Sequence, residues 1–136
     1  MIKITRLKYL IFALVIIVSV SLLYVYTRKE KLDLQSPEWI NVTIDIEKAK
    51  STQEEVDNGH RPGLLDPHQV SHEFLEWQLN IAGDKVQKMR DIKDIENGKI
   101  IQVTLSDGKV LQLYLIQPVR KDSTGIWQVQ KYRFVE

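Results

Sequence analysis

Two histidines stand four residues apart in a segment whose pattern predicts a helix. His68 and His72 would share one face of that helix, and His60 from the preceding segment could join them as a third ligand of a transition metal. The spacing does not form the H-E-x-x-H motif of zinc proteases, because Gln69 rather than a glutamate follows the first histidine. Packing or solvent exposure of the imidazoles is the simpler interpretation. We therefore predict no metal and no cofactor, with these three histidines as the candidate ligands.

A second set of candidate residues belongs to predicted binding surfaces. His60 and Arg61 lie in a polar stretch, residues 48–65, whose Asn-Gly and Pro-Gly dipeptides are typical of a long loop. Arg61 could contact an anionic group, or it could pair with an aspartate such as Asp57 and order the loop. Trp127 is the candidate aromatic contact, although a position in the core or on a sheet face is the simpler interpretation.

The sequence contains no arrangement of residues typical of an enzyme. The paired carboxylates fall on segments predicted to face solvent, the serines lack a nucleophile-elbow context, and there is no glycine-rich phosphate loop. We therefore predict a non-enzymatic protein. A metal-dependent or hydrolytic enzyme centred on His60, His68 and His72 is the alternative.

Composition narrows the class of protein further. The 136 residues include 19 Lys and Arg, 18 Asp and Glu, and no cysteine. Such a chain lacks the basic stripe of a nucleic-acid binder, the disulfide framework of a small secreted scaffold and the cysteine of a lipoprotein anchor. Residues 1–36 hold six basic and two acidic side chains, net +4, whereas residues 37–136 hold thirteen and sixteen, net −3. We predict no nucleic-acid partner.

The N-terminal region carries a long apolar run. Nineteen residues from Tyr9 to Thr27 are uncharged and would span about 28 Å as a helix, close to the hydrocarbon thickness of a bilayer. A cleavable signal peptide is the alternative, but the apolar run continues past its small-x-small site, Ser19-Val20-Ser21. An uncleaved anchor is therefore favoured. The predicted divisions are a cytoplasmic tail at 1–8, a transmembrane signal anchor at 9–27, a stalk at 28–37 and an extracytoplasmic α+β domain at 38–136.

The orientation of the span is predicted from its flanks. Three Lys or Arg residues lie on either side, so the positive-inside rule is nearly balanced. Because a short N-terminal tail usually stays in the cytoplasm, we predict a single-pass protein of the cell membrane whose C-terminal domain lies outside the cytoplasm. The balanced charges leave open a cytoplasm-facing regulatory membrane protein.

The helix that carries the two histidines has clear start and stop signals. Asp66 is the predicted N-cap, Pro67 suits the first helical position, and Gln69 stands where a capping box places Glu or Gln. The helix is predicted to run to about Ala82, followed by Gly83 as the residue after its C-terminal end. Its predicted buried face holds Val70, Phe74, Trp77 and Ile81 at helical spacing.

The remaining segments predict an antiparallel sheet. Alternating patterns indicate strands at 40–47, 101–105, 111–116 and 126–135, and a less regular segment at 85–96 is predicted to be a strand as well. In the first of these strands the even-numbered residues, Ile40 to Ile46, are predicted to face inward. Gly98 and Gly108 complete Asn-Gly and Asp-Gly dipeptides that favour tight type I′ hairpin turns. The predicted fold class is α+β: an N-terminal transmembrane helix, then one helix packed on a four- to five-stranded antiparallel sheet.

Two stretches support a resemblance to a known group of proteins. Residues 57–67 read Asp-Asn-Gly-His-Arg-Pro-Gly-Leu-Leu-Asp-Pro before the helix, and residues 114–118 and 125–129 read Tyr-Leu-Ile-Gln-Pro and Gly-Ile-Trp-Gln-Val. The chain thereby resembles small secreted or membrane-anchored proteins of spore-forming Gram-positive bacteria, with a Gly-His-Gln-Pro-Trp-x-Leu-Asp-Pro pattern. Arg61 and Gly63 depart from that pattern. The resemblance covers most of residues 57–130 and implies compartment and fold, but no activity.

These observations combine into one functional hypothesis. We expect a membrane-anchored extracytoplasmic domain that binds a protein or another component of the cell envelope, with the membrane itself contacted through residues 9–27. The polar stretch 48–65 and the edges of the sheet are the expected contact surfaces, because loops on a rigid scaffold commonly carry recognition.

Overall fold

The computed structural model describes residues 2–34 and 37–135. The chain divides into two compact units, residues 1–36 and residues 37–136. The first unit contains one 33-residue helix, α1 (Ile2–Leu34). Within α1, the section Arg6–Tyr26 is long and apolar enough to span a membrane, and a signal sequence would have the same properties.

The serines of α1 find hydrogen-bond partners inside the helix. The Ser19 hydroxyl lies 2.9 Å from the carbonyl oxygens three and four residues earlier, and the Ser21 hydroxyl donates to the carbonyl three residues earlier at 2.8 Å. Because lipid supplies no hydrogen-bond partner, this local bonding suits an apolar span. The helix also continues through residues 28–34, where a turn-prone stalk was predicted. Residues 35 and 36 of that stalk lie outside the described residues.

The second unit is built on a five-stranded antiparallel sheet, in agreement with the predicted α+β class. The strand order is β1-β5-β4-β3-β2. The strands are β1 (Ile40–Asn41), β2 (Val86–Ile95), β3 (Gly98–Leu105), β4 (Val110–Ile116) and β5 (Gln128–Phe134). The described residues of this unit form two α-helices, α2 (Ile46–Asp57) and α3 (Pro67–Trp77), where the sequence predicted one. Single 3-10 turns occupy Pro62–Leu65 and Gly83–Lys85.

The main core lies between α3 and one face of the sheet. Alternate residues of β3 and β4 are almost completely buried, as their period of two predicts: Ile101, Val103, Leu105, Leu111, Leu113 and Leu115. Val70, Phe74 and Leu75 of α3 cover them. Burial of these apolar side chains is the main force that holds α3 on the sheet.

In strand β2 the regular alternation of side chains between the two faces of the sheet is interrupted twice. Its pairing with β3 shifts register between Val86 and Lys88 and again between Asp91 and Lys93. A bulge inserts an unpaired residue and reverses the face on which the next side chains lie. The segment 85–96 is therefore a strand, as predicted, although its sequence matches neither a regular strand nor a helix.

Helix α2 replaces part of the predicted loop at 48–65. Asp45 caps it by accepting a hydrogen bond from the backbone of Lys48 at 3.1 Å. Its buried residues, Ala49, Gln53 and Val56, are spaced as one helix stripe. Ala49 and Val56 form a second, small core with Ile126. Only one member of the stripe is a large apolar residue, which is why the segment appears polar.

The predicted strand at 40–47 is formed only at its beginning. Residues 40 and 41 pair with Tyr132 and Lys131 of β5, and the Val42 backbone donates once more, to the Gln130 carbonyl at 2.8 Å. The chain then leaves the sheet to enter α2. Ile40 and Ile46, which were predicted to face inward, are 48% and 46% exposed.

Helix α3 begins where predicted and ends five residues early. The Asp66 carboxylate accepts the backbone N–H of His68 at 2.9 Å, and Pro67 opens the first turn. Gln69 does not complete a capping box, because its side-chain amide nitrogen lies 3.4 Å from a carboxylate oxygen of Glu73. The chain reverses at Asn80, whose φ of 57° takes the left-handed conformation expected at Gly83.

The two glycines of the predicted type I′ turns have different roles. Gly108 has a φ of 88° and closes a three-residue turn after Leu105, in which no other residue has positive φ. Gly98 does not have positive φ. It is the first residue of β3, and a Cβ atom there would overlap the carbonyl oxygen of Leu115 in β4. Gly98 is thus required for close strand approach rather than for a left-handed turn.

Candidate binding groove

The three histidines lie in separate environments. The His68 Nε2 atom is 2.6 Å from a carboxylate oxygen of Asp91 in β2. His72 is exposed on α3, and His60 is exposed in the turn after α2. Among the described residues, no group of three or more His, Cys, Asp or Glu side chains is arranged to hold a metal ion. His68 instead links α3 to the sheet, rather than packing on the apolar stripe of its own helix.

Asp91 is the centre of that link. Lys99 of β3 donates to its second carboxylate oxygen at 2.5 Å. The hydrogen bond from Lys99, with a smaller contribution from His68, lowers the pKa of Asp91, and the same bond raises the pKa of Lys99. This charged cluster connects α3, β2 and β3. We interpret it as a structural contact.

A groove of about 580 Å³ lies on the side of the sheet that carries the helices. Its walls are the segment 42–45, the N-terminal half of α2, helix α3 and residues 126–129. Most of the wall is apolar, including Val42, Ile44, Phe74, Trp77, Trp127 and Val129. A cleft with apolar walls and a few polar groups at its rim is the usual form of a binding site.

The groove exists because β1 is short. β1 pairs only with residues 131 and 132 of β5, and after Val42 the chain makes no further backbone pairing with that strand. The first residues of β5, Gln128 and Val129, pair with β4 on one side and have no strand neighbour on the other. Both line the groove. The groove therefore contains a section of open sheet edge.

Two tryptophans, Trp77 and Trp127, line the groove together with this open edge. Trp77 is the last residue of α3 and is 69% exposed, although the sequence predicted it on the buried face. The helix ends at Trp77, so the predicted next turn, which would have placed Ile81 beside it on the same face, is not formed. Trp127 is partly buried, and its backbone N–H donates to the Leu64 carbonyl at 2.9 Å. An exposed indole beside an apolar cleft is typical of a binding residue.

Arg61 and Lys48 supply cations at the rim. Arg61 has a φ of 48°, a left-handed conformation that costs about 1–2 kcal/mol for a residue with a side chain. Asp57, one predicted partner of Arg61, is bound by Arg120 instead. Within the described residues, neither the Arg61 guanidinium nor the Lys48 ammonium forms an ion pair.

The structure therefore brings together two of the three candidate binding residues. Arg61 and Trp127 line the groove, whereas His60 is not among its lining residues. Sequence reasoning missed Trp77, because the helix was predicted to continue past it. It also assigned Val42 and Ile44 to a paired strand. The signal that could have identified them is Asp45, whose capping position ends the strand and begins α2.

Searches against protein-family models, curated proteins and solved structures gave no match for this chain. The functional assignment therefore depends on the groove itself. Its distinguishing property is an open strand edge between apolar walls.

Proposed function

We propose that this is a non-enzymatic, single-pass membrane protein whose C-terminal body lies outside the cytoplasm and binds an extended, apolar segment of a protein partner in the groove. The bound segment would lie beside Gln128 and Val129 and add a strand to β5. The observation that carries the proposal is the unpaired edge of β5 inside the groove.

Strand addition matches both the polar and the apolar features of the groove. In this binding mode, main-chain hydrogen bonds to an open edge provide affinity, and alternate side chains enter flanking pockets. Here the edge belongs to β5, and the flanking walls contain Val42, Ile44 and Phe74. A partner segment with apolar residues at every second position would satisfy both requirements.

Trp77 is the expected energetic centre of the interface. Buried tryptophans are among the residues that contribute most to protein–protein affinity. Trp77 is 69% exposed, so contact with a partner would remove a large apolar surface from water. We expect Trp77→Ala to weaken binding by about 2 kcal/mol or more, roughly thirtyfold.

Photo-crosslinking tests the groove in the full-length protein in cells. A photoreactive amino acid replaces Gln78, which lines the groove, or Asp107, which lies in the exposed β3–β4 turn as the control position. We expect a discrete protein adduct from position 78 that Trp77→Ala removes and Trp39→Ala leaves intact. In the purified complex, amide exchange should slow at residues 128 and 129.

Two results would contradict the proposal. One is an adduct that forms equally well from positions 78 and 107, because such contact is not specific to the groove. The other is an adduct whose yield is unchanged in the Trp77→Ala variant. An adduct without slower exchange at Gln128 and Val129 would mean that the partner binds by side-chain contacts, and strand addition would be wrong.

The location of the body is tested separately. The chain has no cysteine, so Ser123→Cys, in the exposed loop before β5, provides one reactive thiol. We expect a membrane-impermeant maleimide to label it on intact cells, whereas Thr5→Cys in the N-terminal tail is labelled only after lysis. Labelling of position 123 only after lysis would place the body in the cytoplasm and favour the regulatory alternative.

A further inference from the structure

The face of the sheet opposite the helices carries positive charge on both flanks. Successive side chains of a strand point to opposite faces of the sheet. The residues that flank the buried ones in each strand therefore point to this face. On β2 they are Lys88, Arg90 and Lys93, paired with Thr104, Gln102 and Ile100 of β3. On β5 they are Lys131 and Arg133, paired with Tyr114 and Gln112 of β4. We call these ten residues, with Trp39, the outer face.

No acidic side chain occupies an outward position on β2–β5. Asp91 and Asp94 of β2 pair with Ile101 and Lys99 and so point to the helix side, where Asp91 binds His68. The outer face thus has five cations although residues 37–136 have a net charge of −3. The two basic flanks are separated by β3 and β4, which places them about 14 Å apart.

Aromatic rings hold the cations of β5 against the sheet. The Trp39 and Tyr114 rings are arranged edge to face, with 6.1 Å between their centres. Lys131 Nζ lies 4.7 Å from the centre of the Tyr114 ring, and the Arg133 guanidinium lies 4.4 Å from that of Trp39. Arg133 also donates to Gln112 at 2.8 and 3.0 Å. The result is a fixed, amphipathic group of aromatic and basic side chains.

The chain keeps this face near a membrane if α1 is retained as an anchor. Ten residues, 28–37, follow the predicted span: residues 28–34 extend α1 by about 10 Å, and the remaining three can add at most about 10 Å. Trp39, two residues later, is itself part of the outer face. α2 and α3 line the groove on the opposite side of the sheet, so they leave the outer face uncovered.

We propose that the outer face docks on the anionic surface of the membrane that α1 spans. The inference rests on the membrane anchor of the proposed function and is independent of the groove. A wide, basic surface with tryptophan and tyrosine beside its cations complements anionic headgroups, at which aromatic rings also settle. Each cation near such a surface contributes about a fivefold preference for the docked state. Docking would leave the groove facing away from the bilayer.

The test uses the full-length protein in vesicles. A nitroxide on Thr104→Cys reports on the outer face, and one on Glu54→Cys, exposed on α2, is the control position. Collisions of each nitroxide with a nickel chelate carried on lipid headgroups are measured in two kinds of vesicle. One kind is pure phosphatidylcholine, and the other contains about 30% phosphatidylglycerol. We expect collisions at position 104 to increase only in the anionic vesicles, and to decrease when salt is raised from about 0.1 M to 1 M.

Charge-neutralised variants identify the responsible side chains. Lys88→Gln, Arg90→Gln and Lys93→Gln together should reduce the docked-to-undocked ratio about 100-fold. Lys50→Gln, Lys109→Gln and Lys121→Gln change the net charge equally at positions away from the outer face and should leave docking intact. An unchanged thermal midpoint shows that each variant folds.

Three outcomes would overturn the docking. Collisions at position 104 could be equal in neutral and anionic vesicles, or the control variant could reduce them as much as the outer-face variant. The label at position 104 could also respond to soluble heparin but not to phosphatidylglycerol, which would assign the face to a soluble polyanion instead. Since groove crosslinking is measured independently, failure of docking and failure of the proposed function are distinguishable.

Discussion

The carboxylate of Asp57 accepts two hydrogen bonds of 2.9 Å from the guanidinium of Arg120, 63 positions later in the chain. This bidentate pair fixes the last residue of α2 to the loop between β4 and β5. Arg120 also donates to the Thr124 hydroxyl at 3.1 Å. Together with the small core around Ile126, these contacts hold a helix that has little apolar surface of its own.

The Asp57–Arg120 pair should make the docking of α2 sensitive to acid. The hydrogen bond from Arg120 lowers the pKa of Asp57 below its ordinary 3.8. A lowered folded-state pKa means that the pair stabilises the protein above about pH 4 and that this contribution is lost as the pH falls through the folded value. We expect amide exchange in α2 to accelerate in that acid range, and Asp57→Asn to remove this pH dependence. Equal acid sensitivity in the variant would contradict the assignment.

Gln53 should be important for stability although it is polar. Its buried amide donates to the Thr124 carbonyl at 2.8 Å and accepts the Ile126 N–H at 2.9 Å. Gln53→Ala leaves both backbone groups without a partner, which we expect to cost about 1–3 kcal/mol in the free energy of unfolding. Urea unfolding of the full-length protein in detergent measures the change. Gln69→Ala, the same substitution on an exposed helix position, is the control and should have little effect.

The Asp91–Lys99 pair should weaken at both ends of the pH scale. The pKa of Asp91 is lowered, so its contribution is present above about pH 4 and is lost towards lower pH. The pKa of Lys99 is raised above 10.5, so its contribution is present below that value and is lost towards higher pH. Because the Asp91 carboxylate is 41% exposed, we expect Asp91→Asn to cost at most about 1 kcal/mol at neutral pH. A much larger cost, measured by urea unfolding, would contradict the argument that solvent screens this half-exposed pair.

Position 98 should not tolerate a side chain, whereas position 83 should accept one. A Cβ atom at position 98 would overlap the Leu115 carbonyl, and one at position 83 has open space around it. We expect Gly98→Ala to destabilise the protein by about 1–3 kcal/mol, because the hairpin must shift to accommodate the methyl group. Gly83→Ala should be nearly neutral. Equal thermal midpoints for the two variants would show that β3 and β4 can separate without cost.

Local sequence patterns determined much of the fold. The apolar run of α1, the Asp66-Pro67 start of α3 and the alternation in β3 and β4 each depend on neighbours a few residues away, so they are visible without a tertiary structure. Helix α2 was missed for the opposite reason. Its stripe of Ala49, Gln53 and Val56 becomes a buried face only when the loop at 122–126 lies against it.

The candidate site was decided by the tertiary structure. Arg61 and Trp127 could be identified from sequence as binding candidates, but nothing local indicates that they share one groove or that Trp77 joins them. The alternation of residues 40–46 predicts a strand, yet whether it pairs depends on β5, about 90 positions later. The groove depends on the pairing of β1 with β5, which lie far apart in the chain, whereas the outer face is formed by the consecutive strands β2 to β5 once they join in one sheet. Sequence determines which side chains alternate, whereas only the fold determines which edge stays open and on which face of the sheet α2 and α3 lie.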